Sequence, residues 1–420
     1  MSENRRRLSG RVRGRAALAI ATAALLAGAA TVAGAAPVPA GPADPATAAH
    51  LAPRWTSHFG SGKYQASPVV AGQYVYIGDQ NGYLTKLPLA TGSTTAAPRF
   101  TPVWSTNECF NGIFSKPAVG NGRVFVSTIA GYVCAFDDSG ALVWRQSMPA
   151  GGWATSPVLV GDTLYASDIY GGVAAFDAYS GAGTPRWSVD VGGPDSMRLT
   201  GVTVLGGKVY AGTSDGRVLG VTPPATAGAP ATVTELAPFP GGHIDDVLAT
   251  DGTNLYASVN HTTAPSVGEV HVVALNTNGD VLWNVNTQLD PTYYGYGPTV
   301  AGGIVYAPTK TKLVYLDAAR KGARVATADT SPNQPTTPAV VNGVAYVGGI
   351  GASGEKRGAL QAFDATTGVP LYYSHTPTVA NTSPAVAADG TVLLGGGNGS
   401  GGQADGVLWA YQPVTAPEYG

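Results

Sequence analysis

Residues 156–187, SPVLVGDTLYASDIYGGVAAFDAYSGAGTPRW, contain the pattern that decides the fold. Three short apolar segments are separated by Gly, Asp and Ser, and a fourth segment carries Trp187. Such segments, bounded by turn residues, are typical of strands joined by tight hairpins. The stretch therefore predicts four antiparallel strands, A to D, with strand A after Pro157 and Trp187 in strand D. We expect the ring of this D-strand aromatic residue to pack into the gap between neighbouring repeats.

This pattern returns along the chain. A four-stranded repeat of about 45 residues is typical of a β-propeller blade. We therefore predict an all-β fold, an eight-bladed β-propeller of four-stranded antiparallel blades that spans residues 53–413. The copies begin at Pro68, Pro117, Pro157, Gly201, Asp246, Pro298, Pro338 and Pro384.

The spacing of the tryptophans predicts how the ring closes. Trp104 lies 13 residues before the Pro that starts the next copy, and Trp55 lies 13 residues before Pro68. No A, B or C strand precedes Trp55, whereas the last copy lacks a D strand. We therefore expect the N-terminal strand, residues 53–59, to complete the last blade by pairing with the strand around Trp409. Such closure removes open sheet edges.

The N-terminal region has the organisation of an export signal. A basic segment, residues 5–15, precedes an Ala/Leu-rich run that ends in small residues near Ala35, as in signal peptides. We predict a signal peptide over 1–35, a flexible leader over 36–52 and a C-terminal tail over 414–420. We therefore expect a secreted protein, located either in the extracellular space or in the cell envelope. After cleavage of the signal peptide it would have no stable membrane span. The alternative is an uncleaved N-terminal anchor, because the run approaches the length of a membrane span. Sec and twin-arginine export both stay open.

Charge and cysteine content bear on the class of protein. A net charge of −2 provides no field that attracts nucleic acid, so we predict no nucleic-acid partner. The two cysteines, Cys109 and Cys134, predict a disulfide in an oxidising compartment, with two buried free thiols as the alternative. No Cys/His spacing typical of a zinc or haem site occurs, and we predict no metal site.

The phrase Ala-Phe-Asp-x-x-(Ser/Thr)-Gly, which begins at Ala175 and is followed by Trp187, recurs around the predicted ring. In this it resembles the pyrroloquinoline-quinone-repeat propellers over residues 53–413. The resemblance implies a quinoprotein-like fold in a secreted bacterial protein. That family includes quinoprotein alcohol dehydrogenases, and also an outer-membrane protein assembly lipoprotein that binds no quinone.

The dehydrogenase branch of the family implies a quinone held by calcium on the ring axis. It also implies a catalytic Asp, a stacking Trp and usually a pair of adjacent cysteines. This chain has no adjacent cysteines, and no Asp or Glu/Asn pair matches a motif of that branch. We therefore predict no cofactor and assign no catalytic residue. Pyrroloquinoline quinone with calcium is the alternative.

The loops that join strand D to the next strand A, here called D–A loops, lie on one face of a propeller. In this chain they are rich in aromatic and isolated charged residues, and such loops are where binding residues concentrate. We call this side of the ring the D–A face. The ligand-face candidates are Lys63, Tyr64, Glu108, Trp153, Arg198, His243, Asp245, Asp246, Tyr293, Tyr294 and Tyr296.

Three of these groups have two interpretations each. His243 with its two aspartates is a base with an orienting carboxylate or a cation site. Alternatively, His243 is a solvated loop residue and Asp246 takes the Pro position of the repeat and caps a turn. The tyrosines in residues 293–296 form a stacking surface or ordinary packing. Trp153 faces a ligand or covers the top of the third blade.

These observations favour a non-catalytic binding or scaffold propeller. It would engage a protein or a polysaccharide of the cell envelope through the D–A face, and we expect a monomer. The alternatives are a quinone-dependent alcohol or aldose dehydrogenase and, after it, a carbohydrate-active enzyme that uses His243 and a tyrosine.

Overall fold

The computed structural model describes residues 44–59, 66–89, 101–192, 198–226, 229–264, 267–292, 295–351, 357–397 and 406–413. The predicted signal peptide and C-terminal tail lie outside the described residues. Within the described part, no helix is long and apolar enough to span a membrane.

The first half of the chain contains one short helix and the first four blades, each of four antiparallel strands. The helix α1 spans Pro45–Ala48 and is followed by β1 (Leu51–Phe59). Blade 1 contains β2 (Val69–Ala71), β3 (Tyr74–Gly78), β4 (Leu84–Pro88) and β5 (Trp104–Thr106). Blade 2 contains β6 (Ala118–Gly120), β7 (Arg123–Ser127), β8 (Tyr132–Asp137) and β9 (Leu142–Ser147). Blade 3 contains β10 (Val158–Val160), β11 (Thr163–Ser167), β12 (Gly172–Asp177) and β13 (Pro185–Asp190), and blade 4 contains β14 (Thr203–Leu205), β15 (Lys208–Gly212), β16 (Arg217–Thr222) and β17 (Thr232–Pro238).

The second half completes the ring. Blade 5 contains β18 (Ala249–Thr250), β19 (Leu255–Ala264), β20 (Val267–Leu275) and β21 (Val281–Asn286). Blade 6 contains β22 (Thr299–Ala301), β23 (Ile304–Pro308), β24 (Lys312–Asp317) and β25 (Ala323–Asp329). Blade 7 contains β26 (Gln334–Pro335), β27 (Ala339–Val341), β28 (Val344–Ile350), β29 (Gly358–Asp364) and β30 (Pro370–Thr376), and blade 8 contains β31 (Ala385–Val386), β32 (Val392–Gly397) and β33 (Gly406–Pro413) with β1. The predicted eight-bladed β-propeller is confirmed, and blade 7 has one additional short strand, β26, beside β28.

The N-terminal strand closes the ring as expected. In the β1–β33 pair, Thr56 lies opposite Trp409, so β1 is the fourth strand of blade 8. The structured part begins earlier than predicted, because β1 starts at Leu51 and α1 precedes it. Residues 44–52 are therefore not part of a flexible leader: Ala48 and Leu51 are buried in the core between blades 7 and 8.

The D-strand tryptophans pack between blades, which confirms the sequence interpretation. The Trp144 ring of blade 2 packs against Phe176 of blade 3, with ring centroids 5.9 Å apart, and covers the turn at Gly183. A side chain at Gly183 would collide with this ring, and the turn has a positive φ of 58° that favours glycine. Trp55 likewise contacts the next blade where the ring closes. Its indole N–H donates to Leu89 O of blade 1 at 3.3 Å.

Candidate functional site on the D–A face

The antiparallel order of strands brings the D–A loops and the turns between strands B and C to the same end of every blade. The A strands are innermost in their sheets, and successive A strands contact one another around the axis. The residues directly before each A strand therefore surround the mouth of the central channel. They are Ser67-Pro68, Lys116-Pro117, Ser156-Pro157, Gly201-Val202, Val247-Leu248, Gly297-Pro298, Thr337-Pro338 and Ser383-Pro384.

This alignment corrects two repeat starts. Val202 and Leu248 take the Pro position in blades 4 and 5, because β14 and β18 begin at the next residue. Gly201 lies one residue before that position, and Asp246 lies two residues before it. The interpretation of Asp246 as a substitute for the Pro is therefore wrong.

The position that Asp246 occupies holds a hydroxyl group in most blades. Thr200 in blade 4 shows its ordinary role: its Oγ1 accepts a hydrogen bond of 2.9 Å from the backbone N–H of Gly212 in strand B. The equivalent threonines of blades 7 and 8, Thr336 and Thr382, accept the same bond. In these blades the side chain therefore fastens the D–A loop to its own blade.

Asp246 and Tyr296 use the same position to join different loops. The Asp246 Oδ2 atom accepts hydrogen bonds from Gly297 N at 2.7 Å and from Thr337 Oγ1 at 2.8 Å, in the loops that precede blades 6 and 7. The Tyr296 hydroxyl donates to Asn381 O at 2.8 Å, in the loop that precedes blade 8. These five residues, Asp246, Tyr296, Gly297, Thr337 and Asn381, are here called the mouth network.

His243 lies beside this network with both ring nitrogens bonded. Its Nδ1 atom is 2.6 Å from Asp245 Oδ2, and its Nε2 atom is 2.9 Å from Thr262 Oγ1 at the end of β19. Asn260 Nδ2 donates to the same Asp245 oxygen at 2.9 Å. The hydrogen bond that the Asp245 carboxylate accepts raises the pKa of His243, because the carboxylate favours the imidazolium. We call His243, Asp245, Asn260 and Thr262 the His243 cluster.

The cluster corrects the view of His243 as a simple solvated residue. The arrangement orients the imidazole, favours its protonated form and connects the β19–β20 hairpin to the D–A loop. The rings of His261 and His271, which the sequence leaves apart, lie 4.6 Å from each other in the same hairpin. Within the described ranges, however, no three His, Cys, Asp or Glu side chains are arranged to hold a metal ion.

A different surface covers the D–A face of blades 1 to 3. Phe110 is 60% exposed, Trp153 is 52% exposed and Tyr170 is 57% exposed. The Trp153 ring stacks on Phe114 with centroids 6.5 Å apart, and Tyr170 packs on the backbone of Gly152. Large apolar side chains with this exposure, grouped on neighbouring loops, are typical of interaction sites.

The positively charged side chain of Arg145, in strand D of blade 2, extends this surface toward the outside of the ring. The Arg145 guanidinium lies over the rings of Phe110 and Tyr132, at 4.8 and 5.1 Å from their centroids. No carboxylate pairs with Arg145 in the part of the chain that the structure describes. Phe110, Phe114, Tyr132, Arg145, Trp153 and Tyr170 are here called the aromatic surface.

The disulfide holds the loop that presents Phe110. Cys109 and Cys134 are bonded, as predicted, and both are fully buried in the core between blades 1 and 2. Beyond Cys109 the backbone turns sharply: Phe110 has a φ of 57° and Asn111 a φ of 69°. Positive φ is unusual for a bulky residue such as phenylalanine, and the surrounding structure must maintain it. The consequence is that an apolar ring is held in solvent.

The remaining candidates do not join these groups into one site. Glu108 is exposed beside Cys109. Arg198 is also exposed, and its backbone N–H donates to Ser214 Oγ at 2.8 Å. Lys63, Tyr64, Tyr293 and Tyr294 lie outside the described residues.

The residues that the sequence did not single out are Phe110, Phe114, Tyr132, Arg145, Tyr170 and Thr262. Phe110 lies in the D–A loop that also contains Glu108, and its large apolar side chain next to a cysteine was a usable signal. Tyr170 precedes a Gly pair in a turn between strands B and C, where an aromatic residue is unexpected on structural grounds alone. Nothing local marks Thr262, because its partner His243 lies in another loop.

The described residues do not fit the quinone and calcium that the dehydrogenase branch implies. The Asp246 carboxylate at the channel mouth already binds Gly297 and Thr337. The disulfide joins residues 25 positions apart and is buried between two blades, away from the axis. Trp153 stacks on Phe114. No quinone chemistry is therefore assigned to these residues.

Comparison with known proteins places the chain in a family. Residues 99–227 and 268–418 match the family model of PQQ-type repeats described as outer membrane protein assembly factor BamB. The chain belongs to this family. No curated protein sequence matches the chain closely enough to count as a relative.

Solved structures show the same fold at low identity. BamB from Moraxella catarrhalis is 15% identical with a TM-score of 0.61, over 88% of this chain and 99% of that chain. The quinohemoprotein alcohol dehydrogenase from Comamonas testosteroni is 15% identical with a TM-score of 0.61, over 91% of this chain and 79% of its own. The computationally designed Ika8 protein is 14% identical with a TM-score of 0.63, over 85% and 99%. The PQQ-repeat resemblance is thus confirmed, and these likenesses show the fold alone.

Proposed function

We propose that this protein is an exported binding or scaffold propeller, which engages a protein partner through the aromatic surface of blades 1 to 3. The observation that carries the proposal is the exposure of Phe110, Trp153 and Tyr170 on adjacent loops. Aromatic and arginine side chains at the centre of an interface account for much of the binding energy of protein complexes.

The side chains of the aromatic surface indicate which groups of the partner would contact it. Phe110, Trp153 and Tyr170 fit apolar side chains, and Arg145, which lacks a carboxylate partner among the described residues, fits an acidic group at their edge. Membership in the BamB family, whose printed description is that of a protein assembly factor, is consistent with a protein partner. The buried disulfide supports export to an oxidising compartment, because such bonds are rare in reducing ones.

Site-specific photo-crosslinking in the producing cells tests the proposal. Benzoylphenylalanine replaces Trp153 in one variant and Phe110 in another. A third variant carries it at Val369, an exposed apolar residue in the turn that precedes strand D of blade 7, on the opposite face. We expect the same protein adduct from the first two positions and none from Val369. Adducts with polysaccharide alone, or equal adducts from all three positions, would contradict the proposal.

The partner identified in this way then allows a direct measurement of affinity. The substitutions Trp153→Ser and Arg145→Ala should each weaken binding by about tenfold or more, as expected at an interface centre. Because both side chains are exposed and lose only ring contacts, the free energy of unfolding should change by less than about 1.5 kcal/mol. The control Val369→Ser should leave affinity unchanged.

A separate assay addresses the oxidoreductase alternative. The purified protein is mixed with calcium and pyrroloquinoline quinone, and dye-linked oxidation of alcohols and aldoses is measured. We expect no quinone-dependent activity, because the Asp246 carboxylate at the mouth already accepts hydrogen bonds from Gly297 and Thr337. Tight quinone uptake with turnover would refute the scaffold proposal.

A further inference from the structure

The channel mouth contains one feature that the proposed partner site does not use. The residues directly before the Pro position form a ring of eight, one from each blade: Ser67, Lys116, Ser156, Gly201, Val247, Gly297, Thr337 and Ser383. Lys116 is the only charged residue among them, and none of the eight is fully exposed to bulk solvent. A single cation therefore lies at the inner rim of the channel.

Lys116 has no charge partner. No carboxylate forms an ion pair with its ammonium group in the described ranges, although nine other basic side chains do form such pairs. Burial lowers the pKa of Lys116, and no other ionisable group contributes to that shift. An enclosed ammonium without a counter-charge is unfavourable, because desolvation penalises the charged form.

Hydroxyl groups flank Lys116 on both sides of the ring. The Lys116 backbone N–H donates to Ser156 Oγ at 2.9 Å, and the Ser383 N–H donates to Ser67 Oγ at 3.0 Å. Each serine oxygen thus accepts a bond from the preceding blade. The hydroxyl hydrogens of Ser67 and Ser156 have no acceptor within the described part of the chain. They remain available for an acceptor in the channel.

The Asp246 carboxylate of the mouth network lies on the opposite side of the channel from Lys116. In a ring of eight blades, blade 6 faces blade 2, and its ring residue is Gly297, which binds the Asp246 carboxylate. That carboxylate already accepts bonds from Gly297, Thr337 and Val247, so it is satisfied without Lys116. Among the described residues of the mouth, the Lys116 ammonium is therefore the group without a charge partner.

We propose that the channel mouth binds a small oxyanion, a carboxylate or a phosphate, through the Lys116 ammonium and the hydroxyl groups of Ser67 and Ser156. An oxyanion accepts several hydrogen bonds at once, and charge-assisted bonds to it are among the strongest polar contacts in proteins. The site lies at the inner edge of the aromatic surface, since Phe114 and Trp153 precede Lys116 and Ser156 by two and three residues. It does not depend on the partner proposed above.

Isothermal titration calorimetry of the full chain tests the site, with sodium phosphate and sodium succinate as separate probes at constant chloride. We expect saturable one-to-one binding of at least one probe, and which of them binds identifies the chemistry. Lys116→Met should weaken binding by about tenfold or more, whereas Lys116→Arg should retain it. The control Lys208→Met, at an exposed lysine of blade 4, should bind like the wild type.

Amine labelling measures the reactivity of Lys116 both without and with the anion probe. Because burial lowers its pKa, Lys116 should react with fluorodinitrobenzene at a lower pH than Lys208, and the bound probe should protect it. Failure of both anions to bind, unchanged binding by Lys116→Met, or labelling of both lysines at the same pH would overturn the proposal. None of these outcomes affects crosslinking at Trp153, so this inference and the partner proposal fail separately.

Discussion

The aromatic surface and the mouth network occupy equivalent loops of the same repeat, yet they use their side chains in opposite ways. In blades 1 to 3, Phe110, Trp153 and Tyr170 are more than half exposed. In blades 5 to 8, Asp246 and Tyr296 reach neighbouring loops and bond there. One half of the D–A face is therefore stabilised by bonds between its own loops, whereas the other half leaves large aromatic side chains exposed. Four experiments test whether the two halves behave independently.

The largest effect is expected from opening the ring, which removes the support of both regions. Deletion of residues 44–59 removes β1 from blade 8 and takes the buried Trp55 and Leu51 with it. The free energy of unfolding should fall by more than about 5 kcal/mol, since each large core side chain contributes about 2–5 kcal/mol to it. Thermal unfolding followed by circular dichroism would show this loss as a lower melting temperature. Deletion of residues 36–43, before α1, is the control, and equal melting temperatures for the two deletions would refute β1 closure as a source of stability.

Removal of the disulfide should disturb the aromatic side alone. The variant Cys109→Ala/Cys134→Ala frees a loop with a sequence separation of 25, which corresponds to about 3 kcal/mol of chain entropy. Hydrogen exchange should become faster at the Ile113 amide, which bonds to Asp79 O at 2.8 Å. Exchange at the Gly297 amide should not change. Equal acceleration at both amides would show that the two regions form one cooperative unit.

The converse change is Asp246→Ala, which should weaken the mouth network. The substitution removes the acceptor of Gly297 N and Thr337 Oγ1, at a cost of about 2 kcal/mol, because partly buried donors lose their partner. Urea unfolding measures the cost, and exchange should now become faster at Gly297 and stay unchanged at Ile113. Glu108→Ala, at an exposed carboxylate of the other side, should change stability by less than about 0.5 kcal/mol.

The smallest effect concerns pH. The Asp245 carboxylate raises the pKa of His243 in the folded state, so the stabilisation is fully present below the unfolded pKa of about 6.5. It is lost as pH rises through the folded pKa. Because both side chains are about 30% exposed, the contribution should stay below about 1 kcal/mol.

Urea unfolding at pH 5.5 and pH 8 would measure this contribution. The variant His243→Gln should show a smaller decrease in stability between the two pH values than the wild type. His50→Gln, at an exposed histidine, is the control and should behave like the wild type. An identical decrease in all three proteins would contradict a role for the His243–Asp245 pair.

Much of the fold could be predicted because its determinants are local and repeated. The Gly-bounded apolar segments define hairpins, and a positive-φ turn such as that at Gly183 leaves room for the preceding Trp144 ring. The 13-residue offset of Trp55 was sufficient to place β1 in blade 8. The prediction failed at the degenerate starts of blades 4 and 5, since Val202 and Leu248 replace the Pro without a local signal.

The site was less accessible to sequence reasoning. The sequence indicated Trp153, Asp246 and the pairing of His243 with an aspartate. It did not indicate their partners in other loops, which are Phe114, Thr337 and Thr262. The interpretation of Asp246 as a turn cap missed its bond to Thr337, 91 residues away in sequence. A long-range bond of this kind leaves no periodic pattern, because it depends on where two loops of different blades meet.

The repeat, the number of blades and the strand that closes the ring could be read from the sequence alone, whereas the structure decided between a Cys109–Cys134 disulfide and two free thiols. The first three follow from spacing. Only the tertiary structure decided which loop residues turn inward and which stay in solvent. The cause is the ring itself. It brings Asp246 next to blades 6 and 7, leaves Lys116 without a carboxylate partner among the described residues, and leaves Phe110 and Trp153 more than half exposed.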